Sequence, residues 1–276
     1  MNIQVWVPTP FHQRIFAQGG SDALASRLRV LPQTVEEAGF GCLESPTSAS
    51  IGRVRADSRF KFLAVGKWER RKGWDVLLRA WCAAFPAPSS GNQAHEVLLV
   101  RTASYHSSSD FGALIDAELS HDKGGPGRTA CAPIELLPPL SPDEMNHLYG
   151  SVQAFVSTSH GEGWGRPLAE AAAAGCPVIS TDWSGPTAFL TNATATLIPV
   201  RGLQPVGDGA FADHLWARVE VDDVRDALLS VRRNVQEAKQ KAAAAQEDMR
   251  IRFGASAVGR ELAVLLEEAV QTKLQQ

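Results

Sequence analysis

Val152-Gln-Ala-Phe-Val-Ser-Thr-Ser-His160-Gly161-Glu162-Gly163-Trp164-Gly165-Arg166-Pro167-Leu-Ala-Glu170-Ala-Ala-Ala-Ala174-Gly175-Cys-Pro177-Val-Ile-Ser180 holds a strand, a glycine-rich loop, a helix and a second strand in succession. Residues 152–158 are short, apolar and β-branched, as a buried strand requires. Pro167 suits a first helical position, the run of alanines continues the helix, and Gly175 ends it before the apolar run 177–180. The same alternation extends upstream. Residues 60–65 read as a strand, followed after Gly73 by a helix whose apolar positions Trp74, Leu77, Leu78, Trp81 and Phe85 fall on one stripe of a 3.6-residue period. Residues 96–100 and 134–137 read as further strands, and 111–119 as a helix. Ser141-Pro142-Asp143-Glu144 opens another helix with a hydroxyl N-cap, a proline at the first position and a glutamate three residues on. Strand–helix–strand repetition at this spacing predicts an α/β chain built as a Rossmann-like, doubly wound parallel sheet. In such sheets ligands bind beyond the carboxyl ends of the strands.

From 221 onward the pattern is helical and charged, with Ala242 to Ala245 in its middle, which predicts a C-terminal tail of two or three packing helices. Residues 45–58, 107–110 and 121–133 are rich in Ser, Gly, Pro and Ala and read as surface loops. The organisation expected is a short N-terminal unit over 1–45, the α/β domain over 46–220 and helices over 221–276. The chain has 276 residues, 44% hydrophobic and 21% charged, with net charge −3. That balance provides no field to attract nucleic acid, and no apolar run has the length to span a membrane. The N-terminus lacks the basic start and long apolar core of a signal peptide, so the expected location is cytoplasmic. Cys42, Cys82, Cys131 and Cys176 are widely and irregularly spaced, which predicts reduced, mostly buried thiols rather than disulfides or a zinc site.

Two strand-to-helix loops carry chemistry. Gly66-Lys67-Trp68-Glu69-Arg70-Arg71-Lys72-Gly73 packs four basic residues between glycines just before a helix N-terminus, where phosphate groups are favoured. The lysines would act on a diphosphate as point charges, and an arginine could bind it in bidentate fashion. The plain alternative is a solvated basic turn. In the second loop, Gly163 and Gly165 let backbone approach a ligand, and Glu162 and Glu170 could each accept from a different sugar diol. Its plain alternative is a tight turn with Glu170 facing solvent. Gly161-x-Gly163-x-Gly165 also matches the glycine loop of S-adenosylmethionine-dependent methyltransferases, but there the loop follows the first strand, and here it follows several βα units. A lone histidine, such as His12 or His160, reads first as structural.

Glu162-x(7)-Glu170, set in Glu-Gly-Trp-Gly-Arg-Pro-Leu-Ala-Glu, resembles the signature of the retaining family 4 glycosyltransferases of GT-B fold. The loop from Gly66 to Gly73 is similar to that family's phosphate-binding segment, and Thr181-Asp-Trp-Ser-Gly-Pro-Thr-Ala-Phe-Leu190 to the segment after its next strand. The resemblance implies a nucleotide-sugar donor domain. Glu170 would bind the ribose hydroxyls and Glu162 the donor sugar, with the backbone of Gly163, Trp164 and Gly165 bordering sugar and diphosphate. Lys67 and Lys72, with Gly66 and Arg71, would hold the diphosphate, and Leu137 to Leu140 would lie near the base. The implied reaction is glycosyl transfer to an unidentified acceptor hydroxyl with retention. No Asp-x-Asp sequence is present, which fits transfer with no metal and no cofactor. The family usually carries a glutamate near Ala188. Residues 5–8 and 11–19 look like the last βα unit of the acceptor domain, most of which has no counterpart. The alternative is therefore a remnant that binds nucleotide sugars without transferring them, and the apolar face beside such a remnant would favour association. A GT-B epimerase is disfavoured by the Glu-x(7)-Glu spacing.

Overall fold

The computed structural model describes residues 3–35, 48–89, 92–105, 108–207 and 209–274, so Cys42 and part of the expected 1–45 unit lie outside the described residues. The chain opens with β1 (Val5–Val7), α1 (Pro10–Gly19), α2 (Asp22–Ala25) and β2 (Leu28–Val30), the two strands pairing in parallel. After α3 (Ala49–Ala56) comes the main βα series: β3 (Phe60–Trp68), α4 (Trp74–Ala84), β4 (Glu96–Ser104), α5 (Phe111–Glu118), β5 (Ile134–Leu136), α6 (Pro142–Tyr149), β6 (Ala154–Ser157), α7 (Arg166–Ala173), β7 (Val178–Thr181) and β8 (Thr196–Ile198). An antiparallel pair follows, β9 (Leu203–Pro205) and β10 (Leu215–Ala217), then α8 (Val221–Arg233), α9 (Val235–Phe253) and α10 (Ala255–Leu274).

The central sheet has six strands in the order β5-β4-β3-β6-β7-β8, all parallel. Because side chains alternate along each strand, Phe62, Ala64, Leu98 and Val100 enter one core with α4, α5 and α8. Leu63, Val97 and Leu99 enter the other with α3, α6, α7 and α9. Helices on both faces give the doubly wound form. The chain reverses direction across the sheet between β3 and β6, and the two loops singled out by their chemistry leave those two strands. Ligands of open α/β sheets bind at such a switch point. The glycine loop follows the fourth strand of this sheet, not the first, which removes the methyltransferase match.

Several expectations need correction. Residues 49–56 form a helix within the supposed loop 45–58, because Ile51 and Val54, one turn apart, are both buried against the sheet. Residues 121–133 contain two single 3-10 turns, His121–Lys123 and Arg128–Ala130. Gly66 and Lys67 belong to β3, which runs to Trp68 in register with β4 as far as Ser104. Trp68 extends the strand by stacking on Trp74, with ring centroids 5.1 Å apart.

Cys82 and Cys131 are joined as a disulfide, contrary to the reduced thiols expected; Cys176 is free and buried. Residues 85–87 run antiparallel beside 130–132, with the Ala132 N–H donating to the Phe85 carbonyl at 2.8 Å and the Ala87 N–H to the Ala130 carbonyl at 2.9 Å. That pairing brings the two Cα atoms to 4.5 Å although 49 positions separate them. Closing a loop of that length stabilises a fold by about 4 kcal/mol on a chain-entropy account. Dithiothreitol will therefore lower the denaturant midpoint of the native chain and leave that of Cys82→Ser/Cys131→Ser unchanged. Identical midpoints for the native chain with and without reductant would return the pair to free thiols.

The tail packs as expected, α8 against α4 and α9 against α7. Ile15 and Phe16 of α1 are about half exposed, as are Val264 and Leu266 of α10. Among the described residues no helix is long and apolar enough to cross a membrane.

Candidate functional site

At the switch point the two loops are laced together. Gly73 takes φ +66°, turning the chain into α4, and the Thr158 hydroxyl donates to the carbonyls of Lys72 and Gly73 at 3.1 and 2.9 Å. The His160 N–H donates to the Arg71 carbonyl at 2.8 Å, and an Arg71 Nη donates to the Gly161 carbonyl at 2.5 Å. A third segment joins them. The Glu162 N–H donates to Ser184 Oγ at 2.8 Å, and the Gly185 N–H to the Glu162 carbonyl at 3.1 Å. Ser184 is the only non-glycine residue at positive φ among the described residues, a strain retained where the loop needs that hydroxyl.

The charged groups form one chain of ion pairs. Lys72 Nζ lies 2.5 Å from one Glu162 oxygen, Arg71 lies 3.0 Å from the other, and the same guanidinium reaches Glu69 at 2.6 Å. Burial pushes the Glu162 carboxyl up, but Lys72 and Arg71 together outweigh it and hold it below the ordinary 4.5. Burial likewise lowers the Arg71 guanidinium, and its two carboxylate partners more than reverse that. Two cations are thus matched by two carboxylates, so the basic loop is not the free patch of positive charge that its composition suggests. The helices α4 and α7 begin at Gly73 and Gly165 with no side-chain cap, which leaves first-turn N–H groups open at the cleft. By contrast α6 carries a complete capping box from Ser141 and Glu144.

Glu170 stands one turn into α7, where the Tyr149 hydroxyl donates to it at 2.9 Å and Arg166 approaches at 3.5 Å. Burial first, and the Glu170 charge second, raise the Tyr149 phenol well above its ordinary value, so it stays a donor. Glu170 and Met145 separate two cavities. One of about 280 Å³ is lined by Leu140, Pro142, Trp164 and Arg166, and one of about 270 Å³ by Gly66, Lys67, Arg101 and Tyr149. Lys67 therefore lies with Glu170, its ammonium 4.7 Å from the centre of the Tyr105 ring, while Lys72 lies with Glu162.

The glycines differ in what they do. A Cβ on Gly163 would meet nothing within 4 Å, whereas Gly165 sits at φ +84° against Leu168 and Pro186. The Trp164 side chain is buried between Phe189 and Phe253, so only its backbone faces the loop. His160 is buried, with Nδ1 2.7 Å from the Ala217 carbonyl and its ring stacked on Trp216 at 4.6 Å. Burial lowers its pKa, and the imidazole ties β10 to the loop. His12 Nδ1 lies 2.7 Å from Thr9 Oγ1 at the start of α1. Sequence reasoning gave no role to Glu69, Arg101, Tyr149 or Ser184. Only Ser184-Gly-Pro186 carried a signal, that of a turn.

The profile described as "Glycosyl transferases group 1" matches residues 59–215. A search of curated proteins found no match. Among solved structures, Anabaena HepE in complex with UDP and glucose is 15% identical with a TM-score of 0.71, over 96% of this chain and 63% of that one. Sucrose-phosphate synthase from Thermosynechococcus elongatus is 17% identical with a TM-score of 0.69, over 97% and 58%. WaaG, a glycosyltransferase involved in lipopolysaccharide biosynthesis, is 15% identical with a TM-score of 0.65, over 95% and 62%. The chain spans less than two thirds of these structures, and at such identities the likeness speaks for the shared GT-B architecture alone. With more than half of its length matched by the profile, the chain belongs to the glycosyl transferases group 1 family.

Proposed function

We propose that this chain holds the nucleoside-diphosphate-sugar site of a retaining family 4 glycosyltransferase that transfers the sugar to an acceptor hydroxyl without a metal ion. The observation that carries the reading is the joining of Lys72, Arg71 and Glu162 at the switch point, in the loop that leads into α7, with Glu170 one turn into that helix. Glu170 accepts from the ribose diol while Tyr149 fixes its carboxylate. Glu162 accepts from the donor sugar hydroxyls, and the uncapped N-terminus of α7 faces the diphosphate. As the bond from the anomeric carbon to the diphosphate oxygen breaks, the sugar approaches an oxocarbenium ion and negative charge grows on the leaving group. Lys72 and Lys67 stabilise that charge, the role a cation would otherwise take.

HepE was solved with UDP and with UDP-glucose, so UDP sugars head the panel to be tried. In a thermal-shift screen at about a hundred times Kd, a bound nucleotide sugar stabilises the fold by about 2.7 kcal/mol. At least one nucleotide sugar will raise the melting temperature, with or without EDTA. A panel in which none does defeats the reading. Stabilisation that requires a divalent cation defeats its metal-free clause, and stabilisation with no turnover in the presence of any acceptor reduces the function to binding.

A further inference from the structure

Among the described residues Arg101 is a cation of this site with no counter-ion. It lies within β4 opposite Val65 of β3, and alternation along the strands turns it, like Lys67, toward the face covered by α6 and α7. The side chain is half-buried, with Nη1 donating to the Thr102 carbonyl at 2.5 Å and Nε buried without a partner. Among the described residues no carboxylate lies within ion-pair distance of it, whereas Arg71 and Lys72 are both paired. A guanidinium drawn out of water and left with one carbonyl is costly unless something else accepts from it. It lines the 270 Å³ cavity that Glu170, Tyr149 and Met145 close on the other side.

We propose that Arg101 reads the nucleotide base and selects one with a carbonyl oxygen at the pyrimidine 4 or purine 6 position, uracil or guanine, over one with an amino group there, cytosine or adenine. The inference rests on the nucleotide-sugar reading above, in which Glu170 holds the ribose. A base is one bond from its ribose, so it must occupy a cavity that adjoins Glu170. Met145 lines both cavities, so a base lying against it keeps its apolar face toward Leu140 and turns its polar edge to Arg101. A guanidinium only donates. Uracil O4 and guanine O6 accept from it, while the amino groups of cytosine and adenine would face it donor to donor and leave buried N–H groups unpaired.

The test is calorimetric titration of UDP, GDP, CDP, ADP and inorganic pyrophosphate into the native chain, Arg101→Ala and Arg101→Gln. The native chain is expected to bind UDP or GDP at least about tenfold more tightly than CDP and ADP, the price of an unpaired buried donor. Arg101→Ala brings the four within about threefold while leaving pyrophosphate unchanged. Arg101→Gln, which can also accept, raises the affinity for CDP or ADP relative to UDP, and a retained melting temperature in either variant certifies the fold. Equal affinities in the native chain, or a preference untouched by both substitutions, overturn the inference. A uniform loss in Arg101→Ala that includes pyrophosphate also overturns it, by making Arg101 a phosphate contact. Binding of none of the nucleotides by the native chain is a different failure, that of the underlying reading.

Discussion

Replacing Lys72 with alanine lowers the turnover of a donor sugar, by transfer or by hydrolysis, about 10²–10³-fold, the usual cost of removing one group that stabilises a leaving oxyanion. The ammonium is preset. Its stem lies across Gly66, where a Cβ would sit 3.4 Å from the Lys72 Cδ, and its tip is held 2.5 Å from Glu162. Thr158 fixes the backbone beneath it. Little reorganisation is then needed as charge develops on the diphosphate. The loss is catalytic rather than structural because Glu162 keeps Arg71 at 3.0 Å and the Ser184 hydroxyl on its own N–H. The melting temperature therefore stays near that of the native chain, and donor affinity falls less than turnover. Turnover within threefold of native, or a loss that tracks a collapsed melting temperature, would refute the assignment. The Glu162 pair also has a defined pH window. Its carboxyl titrates below the ordinary 4.5, so the stability it lends is present above that value and lost only as pH falls through the lower folded value.

How much of this was legible in the sequence follows from the range of each interaction. The α4 stripe and the α6 capping box are local: Ser141 and Glu144 are three residues apart, and each donates its N–H to the other's side chain, at 2.7 and 3.3 Å. The parallel direction of the strands follows from the alternation of elements, while their order does not. Nor did the edge strand β8, because Thr196–Ile198 is too short to show a period and borrows its pairing from β7. The disulfide waited on the pairing of Pro86 with Cys131 across the loop. In the site, residue types and spacing placed Glu162, Glu170, Lys67 and Lys72 at the switch point, but not their electrostatic state. The basic loop looked like free positive charge because its partner Glu162 lies 90 positions away and Glu69 seemed one acid among four bases. Arg101 was passed over for the converse reason. Just past a strand read as ending at residue 100, a single arginine looks solvated, and only the register with β3 turns it into the cleft.

Two glycines of the site should respond in opposite ways to alanine. Gly73→Ala destabilises the fold by about 3 kcal/mol, combining the cost of a left-handed backbone with that of an added methyl in a packed place. At φ +66° the new Cβ would stand 2.4 Å from the Thr158 carbonyl oxygen, the backbone of the strand end that fixes the basic loop. Neither partner can yield cheaply. Moving Thr158 breaks its bonds to Lys72 and Gly73, and moving Gly73 displaces the start of α4, whose Trp74 and Leu77 are buried in the core. Gly163→Ala adds the same methyl where nothing lies within 4 Å, so denaturant unfolding should match the native chain. If the Gly163 backbone borders the donor, that open space is where the ligand goes, and the variant loses affinity for the nucleotide sugar while keeping its stability. The measurement is one denaturant midpoint and one titration per variant. A stable Gly73→Ala would mean the two loops are not locked together as the geometry requires, and a Gly163→Ala that binds like the native chain would move the sugar away from the glycine loop.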